Sequence, residues 1–142
     1  MIGSIIGDIV GSRFERNNYK AKDFELFNYR CHPTDDSIMT LAVAQALLLC
    51  QGNYKKLSKQ VIECMRTVGG KYMDCGYGSK FKKWLVEANP QPYNSFGNGA
   101  AMRISAVGHV VKNMSEAKRL SKIVTEVTHN HPEGSKGAQA TA

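Results

Sequence analysis

The stretch that decides the fold is His32-Pro33-Thr34-Asp35-Asp36-Ser37, followed by Ile38-Met39-Thr40-Leu41-Ala42-Val43-Ala44-Gln45-Ala46-Leu47-Leu48-Leu49-Cys50. Pro33 turns the residue before it away from helix. Thr34 is a good N-cap, and Asp35 and Asp36 then fall in the first turn, where the helix dipole favours negative charge. The run behind them is interrupted only by Thr40 and Gln45. A helix that is apolar all round is expected to be buried on all sides. It is too short to span a bilayer. A hydroxyl and two adjacent carboxylates therefore stand at the mouth of a central buried helix. Two readings fit them: oxygen ligands for a hard divalent cation, or plain capping chemistry.

Working outward, the 142 residues make one domain, 1–142, with 42% hydrophobic residues to build a core. The formal charge is +7, which points to an anionic partner. The lysines are scattered, with knots at Lys55-Lys56 and at Lys80, Lys82 and Lys83, so nucleic acid is not expected. Cys31, Cys50, Cys64 and Cys75 form no C-x-x-C pair. Reduced thiols and a cytoplasmic setting are expected, with no leader and no membrane span.

Toward the N-terminus, Gly3, Gly7 and Gly11 recur among Ile2, Ile5, Ile6, Ile9 and Val10. Glycine weakens a helix by about 1 kcal/mol, so close backbone packing on that face is expected to compensate. Asp8 is expensive in such a helix unless paired or ligating. Its plain reading is a bond to a neighbouring helix N-terminus or to a basic partner. Glu15, beside Arg13 and Arg16, reads plainly as a surface ion pair.

Toward the C-terminus, the pattern predicts an amphipathic helix over Lys55–Val68 ended by Gly69-Gly70. Another is capped by Ser79 and stops at Asn89-Pro90. Gly97-Asn98-Gly99-Ala100-Ala101-Met102-Arg103 then leads into a helical pattern over Ile104–Val111. A glycine-rich turn that opens a helix can hold an anion, or be a plain turn. Arg103 is either its cationic assistant or a surface charge. A further helix begins at Ser115-Glu116. It runs into Thr128-His129-Asn130-His131-Pro132, where zinc-ligand spacing with Cys31 and His32 is absent. The tail from Pro132 to Ala142 starts like a helix without a stop signal, so a partner half is expected. No convincing strand pattern occurs, and the class is all-α: six helices, not counting that last one.

Four motifs stand in order: Gly7-Asp8-Ile9-Val10-Gly11-Ser12-Arg13-Phe14-Glu15, Thr34-Asp35-Asp36-Ser37, Gly97–Arg103, and Thr128-His129-Asn130-His131-Pro132-Glu133-Gly134. Together they closely resemble the ADP-ribosylglycohydrolase family, of the dinitrogenase-reductase-activating glycohydrolase kind, over almost the whole chain. The resemblance implies a compact multi-helix fold of which this chain is the N-terminal half. It implies two magnesium ions, or manganese, and hydrolysis of the N- or O-glycosidic bond joining ADP-ribose to a modified protein residue or small molecule. By resemblance Thr34, Asp35 and Asp36 match metal ligands, with Asp36 and Glu15 in catalytic roles. Gly97, Asn98, Gly99, Ala100, Ala101 and Met102 match the loop around pyrophosphate and ribose, and His129 a ligand-contacting histidine. Asp8 and the glycines match structural positions, and His131 is unassigned. Ser37 stands where the family more often has Thr. The family's C-terminal Asp-x-Asp-Thr type cluster is absent, so the site is expected to need a second chain, self-association or a further segment. The alternative is a non-catalytic remnant that binds ADP-ribose or a nucleotide.

Overall fold

A computed structural model describes all 142 residues. It is all-α, as expected. The helices are α1 (Ile2–Gly11), α2 (Asp35–Cys50), α3 (Leu57–Gly69), α4 (Ser79–Val86), α5 (Met114–Glu126) and α6 (Pro132–Thr141). Short 3-10 turns cover Ser12–Phe14, Tyr54–Lys56, Asn98–Ala100 and Ile104–His109. No helix is long and apolar enough to cross a membrane. All four cysteines are free, and Cys50 and Cys64 are buried.

The core is built around α2. Met39, Ala42, Val43 and Ala46 of α2 are sealed, and they pack with Leu57, Val61 and Met65 of α3, Trp84 of α4, and Leu120 and Val124 of α5. Thr34 caps α2 through its hydroxyl, which accepts from the Asp36 amide. Gln51, in the left-handed region at φ 47°, and Gly52, at φ 81°, end it. Asn113 caps α5 by accepting from the Glu116 amide, and Glu116 returns the favour to the Lys112 amide, a capping-box arrangement.

Several expectations need correction. α2 is not buried all round in this chain. Leu41, Leu48 and Leu49 are exposed, as are Ile2 and Ile6 of α1. Between α1, α2 and the 104–109 turn lies an apolar cleft of about 430 Å3, lined by Met1, Ile2, Ala44, Leu47, Leu48, Ala106, His109 and Val110. The glycines of α1 do not support close packing here: a Cβ at Gly3, Gly7 or Gly11 would meet nothing. Close packing falls on glycines elsewhere, such as Gly69, where a Cβ would lie 3.0 Å from Met39 and 3.1 Å from the Tyr77 hydroxyl. Residues 104–109 wind as a 3-10 helix rather than an α-helix. Gly108 is pressed there against the end of α6, with the Ala142 carbonyl 2.6 Å from where a Cβ would sit. α4 ends at Val86, earlier than Pro90 suggests, because Arg66 draws out the carbonyls of Leu85 and Glu87 at 3.0 and 2.7 Å. Its N-cap is Gly78, with no side-chain bond, rather than Ser79. The stretch from Pro132 is a full helix, α6, with proline in its first turn.

Candidate functional site

The acid turn at the start of α2 is organised from α1. The Asp8 carboxylate accepts from the Thr34 amide at 2.9 Å and the Ser37 amide at 3.1 Å, and from both hydroxyls. Asp8 therefore bonds to a helix N-terminus, the first of its two plain readings. It satisfies amides that would otherwise be orphaned. Thr34 is buried, and its hydroxyl donates to Asp8 while accepting from Asp36. Asp35 and Asp36 remain half-buried at the surface of the turn. The chain passes close on the other side at Gly76, φ 119°, where any Cβ would meet the Asp35 carboxylate at 2.8 Å. The Asp35 amide is held by the Cys75 carbonyl at 3.0 Å.

Anionic neighbours crowd this turn. Burial, and then the charges of Asp35, Asp8 and Glu15, push Asp36 up to about 6. Asp35 is also raised, first by burial and then by Glu15 and Asp8. Each ionised group here makes the next harder to ionise. Glu15 is not the surface ion pair of its plain reading. Arg13 turns away to lie over the Phe14 and Phe24 rings and to donate to the Glu25 carbonyl. None of the ion pairs in the protein includes Glu15.

Two clefts meet at the acid turn. One, of about 340 Å3, is lined by Asp35, the α4 start (Gly78, Ser79, Lys80, Phe81), Tyr93, Ser95, Gly97, Asn98, Gly99, Met102, Arg103 and His129. The other, of about 370 Å3, is lined by Ser12, Arg13, Glu15, Arg16, Asn17, His32, Thr34, Asp74, Cys75 and Gly76. Asp35 thus shares a cleft with the glycine-rich turn and His129, and Glu15 and Thr34 share the neighbouring one. Ala100 is 1% exposed and packs in the core, and Ala101 is half-buried; neither lines the first cleft.

The glycine-rich turn is tied to α2 by Thr40, whose hydroxyl donates to the Met102 carbonyl at 3.2 Å. Gly99 is required at its place, because a Cβ would lie 3.1 Å from the His129 ring. Gly134 of α6 is pinned likewise, with the Ser95 carbonyl at 3.0 Å and the His129 Cβ at 3.3 Å. His129 is 4% exposed, and Tyr93 leans on it with ring centres 5.9 Å apart. Burial, and then the Arg103 charge, drives its pKa down to about 4, so the ring is neutral at pH 7. Arg103 is not a surface charge: it is 1% exposed and forms part of the wall of the first cleft. His131 caps α6, accepting from the Glu133 amide through Nδ1.

No group of three His, Cys, Asp or Glu side chains in this chain converges closely enough to hold a metal ion. The donor chemistry still suits a hard cation from one side. Asp35 and Asp36 offer half-buried oxygens at a turn whose negative charge has no basic partner. Two carboxylates alone do not make a closed site.

Tyr93, Ser95 and the α4 start line the cleft without having been singled out in sequence. Tyr93 sits in the loop marked by Pro90 and Pro92. Its amide bond to the Thr128 carbonyl, 3.1 Å, and the Asn94 amide bond to Asn130 Oδ1, 2.7 Å, bring it to the site.

Against known proteins, the chain matches the ADP-ribosylglycohydrolase family over residues 1–142. It is 25% identical to ADP-ribosylhydrolase ARH3 of Gallus gallus across 174 aligned residues, covering 97% of this chain and 46% of that relative. The chain spans about half the length of the curated relative it matches.

Proposed function

Since the chain belongs to the ADP-ribosylglycohydrolase family, we propose that its first cleft receives an ADP-ribosyl group and that its acid turn serves magnesium-dependent cleavage of the glycosidic bond. The observation that carries this is the single cleft shared by Asp35, the Gly97-Asn98-Gly99 turn and His129. These residues are far apart in sequence, and the cleft unites an acidic wall with a small-residue turn suited to phosphates. The turn would lie along the pyrophosphate and ribose, placing the anomeric carbon toward Asp35.

Thr34, Asp35 and Asp36 would hold the cation from one side, and the opposing ligands would come from outside these 142 residues. When bound, a divalent cation supplies Lewis-acid charge for orienting the ribose hydroxyls and acidifying water. The chain's own carboxylates do the rest. Glu15, in the adjoining cleft, takes or returns a proton on the side where the modified residue departs. Asp36, held near neutral pKa when no cation is present, orients water through its carboxylate. The surrounding anionic charge of Asp8, Asp35 and Glu15 favours an oxocarbenium-like state. The usual pair of glycosidase carboxylates is a loose analogy.

Calorimetric titration of ADP-ribose into the 142-residue chain, with magnesium and again with chelator, tests the binding. Metal-dependent release of ADP-ribose from a modified protein, measured with any completing chain or segment present, tests the chemistry. Asp35→Ala and Asp36→Ala should each abolish it, and wild-type rates in both would refute the assignment. A second reading is binding without hydrolysis. It is favoured by the formed cleft standing beside two carboxylates that alone do not make a closed site. Tight binding that persists unchanged in chelator, with no turnover, would select it.

A further inference from the structure

Arg103 is a buried cation that faces no carboxylate. Its Nη2 donates to the Val124 carbonyl at 3.3 Å and to the Thr128 hydroxyl at 2.8 Å, while its Nε has no partner. Thr128 is itself wholly buried, and its Oγ1 lies 2.7 Å from His129 Nδ1. A guanidinium can only donate. The Thr128 oxygen is therefore an acceptor on the Arg103 side, and the one hydroxyl proton needs an acceptor elsewhere. Nδ1 of His129 is the group placed to take it. Were Nδ1 protonated instead, the Thr128 proton would be stranded in a sealed site, with its desolvation uncompensated. The arginine charge also polarises the hydroxyl in the direction that makes it a better donor. The other edge of the ring, Cε1 and Nε2, faces Gly99 at the cleft wall.

We infer that Arg103 and Thr128 are positioning residues that hold His129 as its Nε2–H tautomer, so that the ring presents a hydrogen-bond donor to the cleft beside Gly99. The site beside Gly99 then receives an acceptor atom: a phosphate or hydroxyl oxygen or an unprotonated ring nitrogen, and not an amino group. The tautomer stands on geometry alone, while its use in binding rests on the ADP-ribose reading of the cleft. A neutral ring suits this role, because a second positive charge beside the buried Arg103 is disfavoured.

The test is a long-range proton–nitrogen NMR correlation on the 15N-labelled 142-residue chain at pH 7, joined to ADP-ribose titrations. In the wild type, His129 Nδ1 should resonate as an unprotonated nitrogen and Nε2 as a protonated one. A protonated Nδ1, or a mixture of tautomers, would overturn the inference. Thr128→Val keeps the shape but removes the hydroxyl, and should release the ring into a tautomer mixture. Thr128→Ser should restore the single form. ADP-ribose should bind the valine variant about 5–10-fold more weakly, the share of one neutral hydrogen bond, and the serine variant nearly as the wild type. A valine variant with unchanged ring signals and unchanged affinity would also overturn it. Should that variant fail to fold, the wild-type and serine spectra decide. A wild type with the Nε2–H ring but no ADP-ribose binding would uphold the tautomer and remove the functional reading of the cleft.

Discussion

α1 and α2 are both apolar, and they are held in different ways. α2 sends Ile38, Met39, Ala42, Val43, Ala46 and Leu47 into the core, whereas α1 buries only Val10. What ties α1 to α2 is polar: the Asp8 carboxylate bridging Thr34 and Ser37. Ile2 and Ile6 of α1 stay exposed, and Ile2 lines an apolar cleft with Leu48 of α2. One helix is therefore a core element. The other is a strut whose chief contact shapes the acid turn of the candidate site.

The sharpest way to break this contrast is to empty the α2 core. Met39→Ala should destabilise the protein by about 3 kcal/mol, since Met39 is sealed among α3 and α4 residues. Chemical denaturation would show it, and a loss under about 1 kcal/mol would mean that the core around α2 is loose. Next comes the polar tie. Asp8→Asn keeps the shape but cannot accept all four donors, and should cost about 2 kcal/mol. It should also weaken divalent-cation binding at the acid turn, read by calorimetry. A stable variant with intact cation binding would show that α1 does not organise that turn.

Acid should act on His129. Its folded pKa is about 4, below the ordinary 6.5, so the unfolded chain takes up the proton first. The stabilisation is complete above pH 6.5 and is lost as pH falls toward 4. Asp36, raised to about 6, works in the opposite direction over much of the same range, so the wild-type profile alone mixes the two. Comparing wild type with His129→Asn separates them. Any advantage of the wild type at pH 8 should shrink by about 1–2 kcal/mol at pH 4.5. The full conversion of the shift is discounted because the ring borders an open cleft where solvent screens. A difference independent of pH would mean that the ring is not held neutral.

The smallest effect is on the α1 face. Gly7→Ala places its Cβ in open space, so the chain should gain about 0.5–1 kcal/mol from helix propensity. Destabilisation of that variant in thermal unfolding of this chain would mean that another surface packs on the α1 glycines in solution.

Much of this was legible without coordinates, at the places where the physics is local. Thr34 capping α2 and Pro132 opening α6 follow from groups within one helical turn of each other. The stripe Leu57, Val61, Ile62, Met65, Val68 places α3 on the core by period alone: Leu57, Val61 and Met65 are buried, and Ile62 and Val68 are half-buried at its edge. That Asp8 must find donors was legible, because a lone carboxylate in an apolar helix is costly unpaired; the choice of a helix N-terminus over a basic partner came from the fold. The 3-10 form of residues 104–109 was not legible, because the same apolar pattern serves both helix types.

The sequence by itself determined the all-α class, the position of the acid turn, the glycine-rich turn and the four ordered motifs by which the family is recognised. These depend on neighbours along the chain, whose hydrogen bonds and periodicity are written in residue order. Only the tertiary structure decided that Asp35 and His129 share a cleft while Glu15 and Thr34 line the next one. It alone buried Arg103 behind Thr128, and left the glycines of α1 open while pressing Gly69, Gly99 and Gly134 against their neighbours. The physical reason is that burial is a property of two surfaces: a residue's own chemistry sets what it would gain from contact, and only the packed neighbour decides whether the contact exists.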